Sequence, residues 1–163
     1  MRPAVHAFIA LAIFLVAMVC LSGRVSAADD APILFVCEHG SVKSLIASSL
    51  FNATARERHL PFRAIARGVT PDRSVPTAIA DALKREGFEV RQFKPTAVTT
   101  ADATRASHVV AIGVDLSAVT RDARASVERW DDVPAASVDY AAAHAALKQH
   151  IDALLDRLQS RTP

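Results

Sequence analysis

Short apolar runs that alternate with helical segments constrain the fold of this chain most strongly. Ile33–Val36 and Val109–Ile112 are uninterrupted apolar runs, Phe62–Ala66 predicts a further strand, and Ser126–Trp130 predicts a short fourth one. Continuous apolar runs are typical of strands that are covered on both faces. Strands that alternate with helices predict a parallel sheet with helices on both sides. The expected fold is therefore a three-layer α/β/α sandwich around a four-stranded parallel sheet.

Three segments carry the periodicity of helices. The first extends from Ser44 to about Arg58, and the second opens at Pro76 and has Gly87 in the place of a C-terminal cap. The third is the C-terminal tail, where apolar residues recur at helical spacing with polar residues between them. These residues are Leu147, Ile151, Leu154, Leu155 and Leu158.

The N-terminus has the pattern of a secretory signal peptide. Arg2 precedes the apolar run Ala7–Leu21, and Val25-Ser26-Ala27 supplies small residues for cleavage before Ala28. A spanning helix needs about 20 apolar residues, so the alternative of an uncleaved membrane anchor is the weaker one. We expect a signal peptide at 1–27, one domain at 28–163, periplasmic or secreted localisation, and no stable membrane association after cleavage.

Charge and cysteine content narrow the classes of function. Loss of Arg2 and Arg24 with the signal leaves equal numbers of basic and acidic residues, so no nucleic-acid partner is expected. Cys20 leaves as well, so Cys37 has no intramolecular partner and is either a core residue or a reactive thiol. No metal site or cofactor is predicted, because the histidines are scattered along the chain. They include His59, His108, His144 and His150.

Cys37 directly follows the first predicted strand, in the stretch VCEHGSVKS. In parallel sheets, sites gather beyond the carboxyl ends of the strands. Between a strand and a helix N-terminus, a loop with Gly40 can form a concave nest of amides that binds an oxyanion. This field and Lys43 favour a thiolate at Cys37, and Ser44 can cap the helix or donate to that thiolate. The local string alone also allows a structural, buried cysteine.

The wider sequence resembles the low-molecular-weight protein-tyrosine phosphatases and their arsenate-reductase relatives. The segment ILFVCEHGSVKSLIASSLFN is similar to their opening strand and loop, in which a cysteine is followed by five residues, an arginine, and serine or threonine. Three later segments resemble family segments in the same order. They are ARGVTP at 66–71, ALKREGFEV at 82–90, and RWDDVPAASVDY near the C-terminal helix.

The resemblance implies roles for individual residues. Cys37 would be the nucleophile that becomes a cysteinyl phosphate. Asp132, preferred to Asp131 because it lies nearer Pro134, would protonate the leaving alcohol and then activate water. The phosphate cradle would consist of Glu38, His39, Gly40, Ser41, Val42, Lys43 and Ser44. The implied substrates are phosphorylated proteins or small aryl phosphates, and the implied ligands are oxyanions such as phosphate or arsenate.

The loop also departs from the family pattern. Lys43 replaces the loop arginine, Glu38 adds an acid, Gly40 replaces a common asparagine, and Val133 separates the aspartates from Pro134. Lysine keeps the charge of arginine but not its planar fork. Three hypotheses follow: an exported phosphatase, a catalytically silent anion-binding module, and an arsenate reductase. The last would need an external thiol, because the mature chain has no second cysteine.

Overall fold

The structure, a computed structural model, describes residues 31–161, so the predicted signal peptide at 1–27 lies outside the described residues. The helices and strands follow one another as β1 (Ile33–Cys37), α1 (Lys43–Glu57), β2 (Ala64–Gly68), α2 (Thr77–Arg85), α3 (Thr100–Arg105), β3 (His108–Ala111), α4 (Ser117–Thr120), β4 (Ser126–Arg129) and α5 (Tyr140–Gln159). Within the described part, no helix has the length and apolar character that a membrane crossing requires.

The four strands form one parallel sheet in the order β2-β1-β3-β4. Strand β1 therefore lies inside the sheet, and its last residue, Cys37, pairs with Gly68 at the end of β2. On its other side, Val36 pairs with Ala111 at the end of β3. The prediction of a four-stranded parallel sheet is confirmed, and Cys37 lies at the carboxyl edge of that sheet.

Alternate residues of β1 enter two separate hydrophobic cores. Phe35 belongs to the core that includes buried residues of α1, α2 and α5, and its ring centroid lies 5.7 Å from that of Phe51 and 5.5 Å from that of Trp130. Leu34 and Val36 belong to the core on the other face, with residues of α3 and the start of α4. Helices on both faces make the fold the expected three-layer sandwich.

The boundaries of β2 differ from the prediction. The strand begins at Ala64 rather than Phe62 and continues to Gly68. It extends further because the N–H of Gly68 donates to the carbonyl of Thr96 at 3.0 Å, while its carbonyl accepts from Val98 at 2.8 Å. The sequence pattern of β2 contains no sign of these partners, which lie almost thirty residues later.

Two short helices were not predicted. Helix α3 has 6 residues and α4 has 4, too few for an apolar periodicity to be visible. A capping box defines the start of α3, in which the side chains of Thr99 and Asp102 bond to one another's backbone N–H groups. Helix α1 has no side-chain cap at its N-terminus, because its N-cap residue is Val42, and the Ser44 hydroxyl instead contacts Cys37.

Candidate active site

The loop between β1 and α1 forms a concave turn above Cys37. Gly40 adopts a φ of 68°, in the left-handed region that glycine tolerates. The carbonyl oxygens of residues 37, 38 and 39 accept hydrogen bonds of 2.8–3.1 Å from N–H groups of segment 69–72. Among the described residues, the N–H groups of residues 38–43 have no protein acceptor. A nest of free amides at a helix N-terminus is suited to binding an oxyanion.

Two glycines allow this loop to lie against the end of β2. A Cβ atom added to Gly68 would lie 2.6 Å from the backbone nitrogen of Gly40. In the other direction, a Cβ at Gly40 would lie 2.8 Å from the nitrogen of Gly68. Neither clash can be relieved by a side chain, because the atoms met are backbone atoms. In the small-residue turn at 66–71, a side chain at Gly68 would therefore clash with the backbone of the loop.

Cys37 and Ser44 form the floor of the loop. The Sγ of Cys37 lies 3.2 Å from the Oγ of Ser44 and accepts the backbone N–H of Ser44 at 3.4 Å. Cys37 is a free cysteine and is 3% exposed, while Ser44 is fully buried. Of the two roles predicted for Ser44, donation to the thiolate fits this geometry and capping of the helix does not.

A cleft of about 510 Å³ opens over Cys37. It brings together five of the residues predicted for the site, and it adds others from later in the chain. The predicted ones are Cys37, Glu38, His39, Val42 and Lys43, and the added ones are Asp72, Pro76, Ala135, Ala136 and Ser137. Gly40, Ser41 and Ser44 of the predicted cradle do not line the cleft.

Lys43 supplies a cation to this cleft. Within residues 31–161 its ammonium group has no acidic partner, so its charge is available to an anion. Its Nζ lies beside the turn after β3, where a Cβ added to Gly113 would be 3.0 Å away. Gly113, which has a φ of 65°, therefore leaves space for the end of the lysine. Sequence reasoning did not select Gly113, because only the fold brings this turn to Lys43.

Asp72 is a second residue that sequence reasoning missed. Its carboxylate accepts a hydrogen bond from the buried hydroxyl of Ser41. Its other oxygen lies 3.7 Å from Nδ1 of His39, which is also 3.4 Å from the carbonyl oxygen of Thr70. Asp72 thus braces the loop from the segment that follows β2. A polar residue soon after the end of a neighbouring parallel strand is the one signal that could have indicated it.

The two aspartates considered for proton transfer do not line the cleft. Asp131 receives two 3.0 Å hydrogen bonds from the guanidinium of Arg129. Asp132 lies 2.9 and 3.0 Å from Nε2 of His150, whose ring stacks on Trp130 with centroids 4.6 Å apart. The cleft wall is instead formed by residues 135–137 of the same loop.

The environment of Asp132 favours its ionised form. The hydrogen bond from His150 lowers the pKa of this carboxyl below its ordinary value. Within residues 31–161 there is no group of three or more His, Cys, Asp or Glu residues that could hold a metal ion.

Comparison with protein families gives a match along most of the region just described. The family model described as Low molecular weight phosphotyrosine protein phosphatase matches residues 32–133. This range includes the loop between β1 and α1 with Lys43, as well as Asp131 and Asp132. The chain belongs to this family. Among curated proteins, none matches the sequence significantly.

Solved structures of the phosphatase family and of its relatives share the fold. YfkJ from Bacillus subtilis is similar with a TM-score of 0.70 and 19% identity, covering 86% of this chain and 100% of that protein. A low molecular weight protein tyrosine phosphatase from T. tengcongensis gives 0.68 and 20%, covering 78% and 99%. An arsenate reductase in the phosphate binding state gives 0.63 and 15%, covering 78% and 98%. At these identities the likeness shows the fold alone.

Proposed function

We propose that this protein is a cysteine-dependent phosphatase that hydrolyses phosphomonoesters, with aryl phosphates and phosphotyrosine as the substrate class. One observation carries the proposal. The Sγ of Cys37 lies 3.2 Å from the Ser44 hydroxyl at the floor of a loop of free amides, in a cleft that Lys43 also lines without an acidic partner among residues 31–161. Such a nucleophile beneath an anion-binding loop is arranged for in-line attack on a bound phosphoryl group.

The reaction proceeds in two steps on these residues. The Cys37 thiolate attacks phosphorus, an S–P bond forms, the ester P–O bond breaks, and the leaving oxygen takes a proton from an acid. Water then attacks phosphorus and gives its proton to the same group, the S–P bond breaks, and inorganic phosphate leaves. Ser44 stabilises the thiolate each time it forms, because its hydroxyl and its N–H both face Sγ.

Lys43 replaces the two-pronged contact of an arginine with a single point charge. The amides of the loop remain, so the cradle keeps most of its donors. Loss of one charge-assisted hydrogen bond costs about 1.5–3 kcal/mol. This corresponds to roughly ten- to a hundredfold in rate if the loss falls in the transition state. We therefore expect a slower enzyme than one with the arginine, and not an inactive protein.

Two other functions remain as candidates. A catalytically silent anion-binding module is favoured by the two departures from the family loop, Lys43 for arginine and the acidic Glu38, both of which line the cleft. An arsenate reductase is favoured by the structural likeness to a reductase in its phosphate binding state. In that case an external thiol would be required, because Cys37 is the one cysteine within the described residues.

Steady-state hydrolysis of 4-nitrophenyl phosphate under reductant tests the proposal, with Cys37→Ser as the matched variant. Turnover that disappears in Cys37→Ser supports the phosphatase. Equal rates in both proteins, with unchanged melting temperatures, would support the silent module instead. Export through residues 1–27 is part of the proposal, and N-terminal sequencing of protein from the producing cells should then begin at Ala28.

A further inference from the structure

The structure raises the question of which group protonates the leaving oxygen. Asp131 and Asp132 are held by Arg129 and His150 and do not line the cleft. The titratable groups that do line it, besides Cys37, are Glu38, His39, Lys43 and Asp72. One of these is better placed for proton transfer than an aspartate outside the cleft.

His39 is held in a geometry suited to a proton donor. Its Nδ1 faces the Thr70 carbonyl oxygen at 3.4 Å and Asp72 Oδ1 at 3.7 Å. Both are acceptors, so they favour a proton on Nδ1. Its Nε2 has no protein partner within residues 31–161, which leaves this nitrogen available to a substrate. The side chain is 55% exposed at the cleft, where a leaving group departs.

We propose that His39 is the general acid and base of this protein and that Asp72 is its positioning residue. The inference rests on the proposed phosphatase function. In the first step, Nε2–H of the His39 imidazolium donates its proton to the leaving oxygen as the P–O bond breaks. In the second step, the neutral imidazole takes a proton from the attacking water as the S–P bond breaks, which restores the imidazolium.

The other groups of the cleft are less suited to this role. Asp72 accepts from the buried Ser41 hydroxyl, so its carboxylate is used in bracing the loop. Lys43 is needed as a cation toward the phosphoryl group. Histidine is the side chain that exchanges a proton most readily near neutral pH. The charged groups near His39 are Glu38 and Lys43 of its own loop and Asp72 of the facing segment.

The test compares two substrates that differ in their need for an acid. Phenyl phosphate has a poor leaving group that requires protonation, whereas 4-nitrophenyl phosphate has a good one. For His39→Gln, kcat/KM for phenyl phosphate should fall about a hundredfold or more relative to that for 4-nitrophenyl phosphate. His144→Gln, the same change outside the cleft, should leave both values as in the unsubstituted protein. A residue that only binds phosphate would lower both values equally.

The same pair of substrates tests the role of Asp72. For Asp72→Asn, kcat/KM for phenyl phosphate should fall more than that for 4-nitrophenyl phosphate, because the imidazole has lost an acceptor that orients its Nδ1. A purely structural role would lower both values equally. Inhibition by inorganic phosphate shows in each variant whether the loop still binds an anion.

The outcomes separate the inference from the function on which it rests. Cys37-dependent turnover with an unchanged substrate ratio in His39→Gln, and a changed ratio in Asp132→Asn, would overturn the inference and keep the phosphatase. Absence of Cys37-dependent turnover of 4-nitrophenyl phosphate would overturn both. A ratio that changes in His39→Gln and not in Asp132→Asn supports both.

Discussion

At the scale of single residues, only some of the residues around the cleft can be predicted from the sequence. Cys37, Lys43 and Ser44 are visible in the string VCEHGSVKS, because their spacing puts them between a strand and a helix N-terminus. Their neighbours Asp72 and Gly113 are not visible, since they follow other strands and meet the loop only through the sheet. The residues of the loop were predicted, and the residues that hold it were not.

Ser44→Ala tests the contact between the floor residues. The Ser44 hydroxyl lies 3.2 Å from Cys37 Sγ. In the proposed reaction it donates a hydrogen bond to the Cys37 thiolate, both when the thiolate attacks phosphorus and when it leaves. The substitution removes that hydrogen bond. Such a bond to a charged group contributes about 1.5–3 kcal/mol, so we expect kcat to fall roughly ten- to a hundredfold. Steady-state kinetics with 4-nitrophenyl phosphate measures this, and an unchanged kcat would contradict the role given to Ser44.

At the scale of elements, the strands and long helices follow the sequence pattern closely. Helix α1 begins at Lys43 where Ser44 was predicted, and α2 begins at Thr77, directly after Pro76. Buried apolar runs and helical periodicity are local signals, so these elements could be predicted. The carboxyl end of β2 and the short α3 and α4 could not, because they depend on partners distant in sequence or have too few residues.

Gly68→Ala tests the contact between the loop and β2. Its Cβ would meet the Gly40 backbone at 2.6 Å, so the loop must move. Overpacking of this kind typically costs about 1–3 kcal/mol of stability, and inhibition by inorganic phosphate should weaken as well.

Gly87→Ala is the matched control for this substitution. Gly87 has a φ of 88° and an added Cβ would meet nothing within 4 Å, so alanine there brings backbone strain without a steric clash. Gly87→Ala should lower the melting temperature and leave phosphate inhibition intact. Loss of phosphate inhibition in both variants would show that general destabilisation, and not the loop contact, is responsible.

At the scale of the whole molecule, a polar network joins the edge of the sheet to the C-terminal helix. His108 of β3 lies 2.7 Å from the Ser126 hydroxyl and 3.2 Å from the Glu128 carboxylate, both of β4. Arg157 of α5 donates to both oxygens of Glu128 at 2.9 and 2.7 Å. These hydrogen bonds therefore connect β3, β4 and α5.

This network makes stability depend on pH. Burial lowers the pKa of His108 from 6.5, against the effect of Glu128, which raises it. Below 6.5 the unfolded chain therefore binds a proton more readily than the folded one, and stability falls as the pH falls. Burial raises the pKa of Glu128, but hydrogen bonds from Trp130 and Arg157 hold it below 4.5, so its contribution is lost only at lower pH.

We expect the free energy of unfolding to fall between about pH 7 and about pH 5, and to fall less in His108→Gln, which has no proton to gain. Urea unfolding at the two pH values measures both proteins. His144→Gln serves as the control, because His144 is a half-buried histidine outside this network. A slope that is the same in all three proteins would contradict the assignment to His108.

The central claim, phosphoryl transfer through Cys37, is tested most directly by trapping the intermediate. The protein is mixed with 4-nitrophenyl phosphate, quenched in acid within milliseconds, digested and analysed by mass spectrometry. The account predicts one added phosphoryl group on the peptide that contains Cys37, and none on that peptide from Cys37→Ala. Turnover without a phosphorylated Cys37 peptide at any quench time would contradict it.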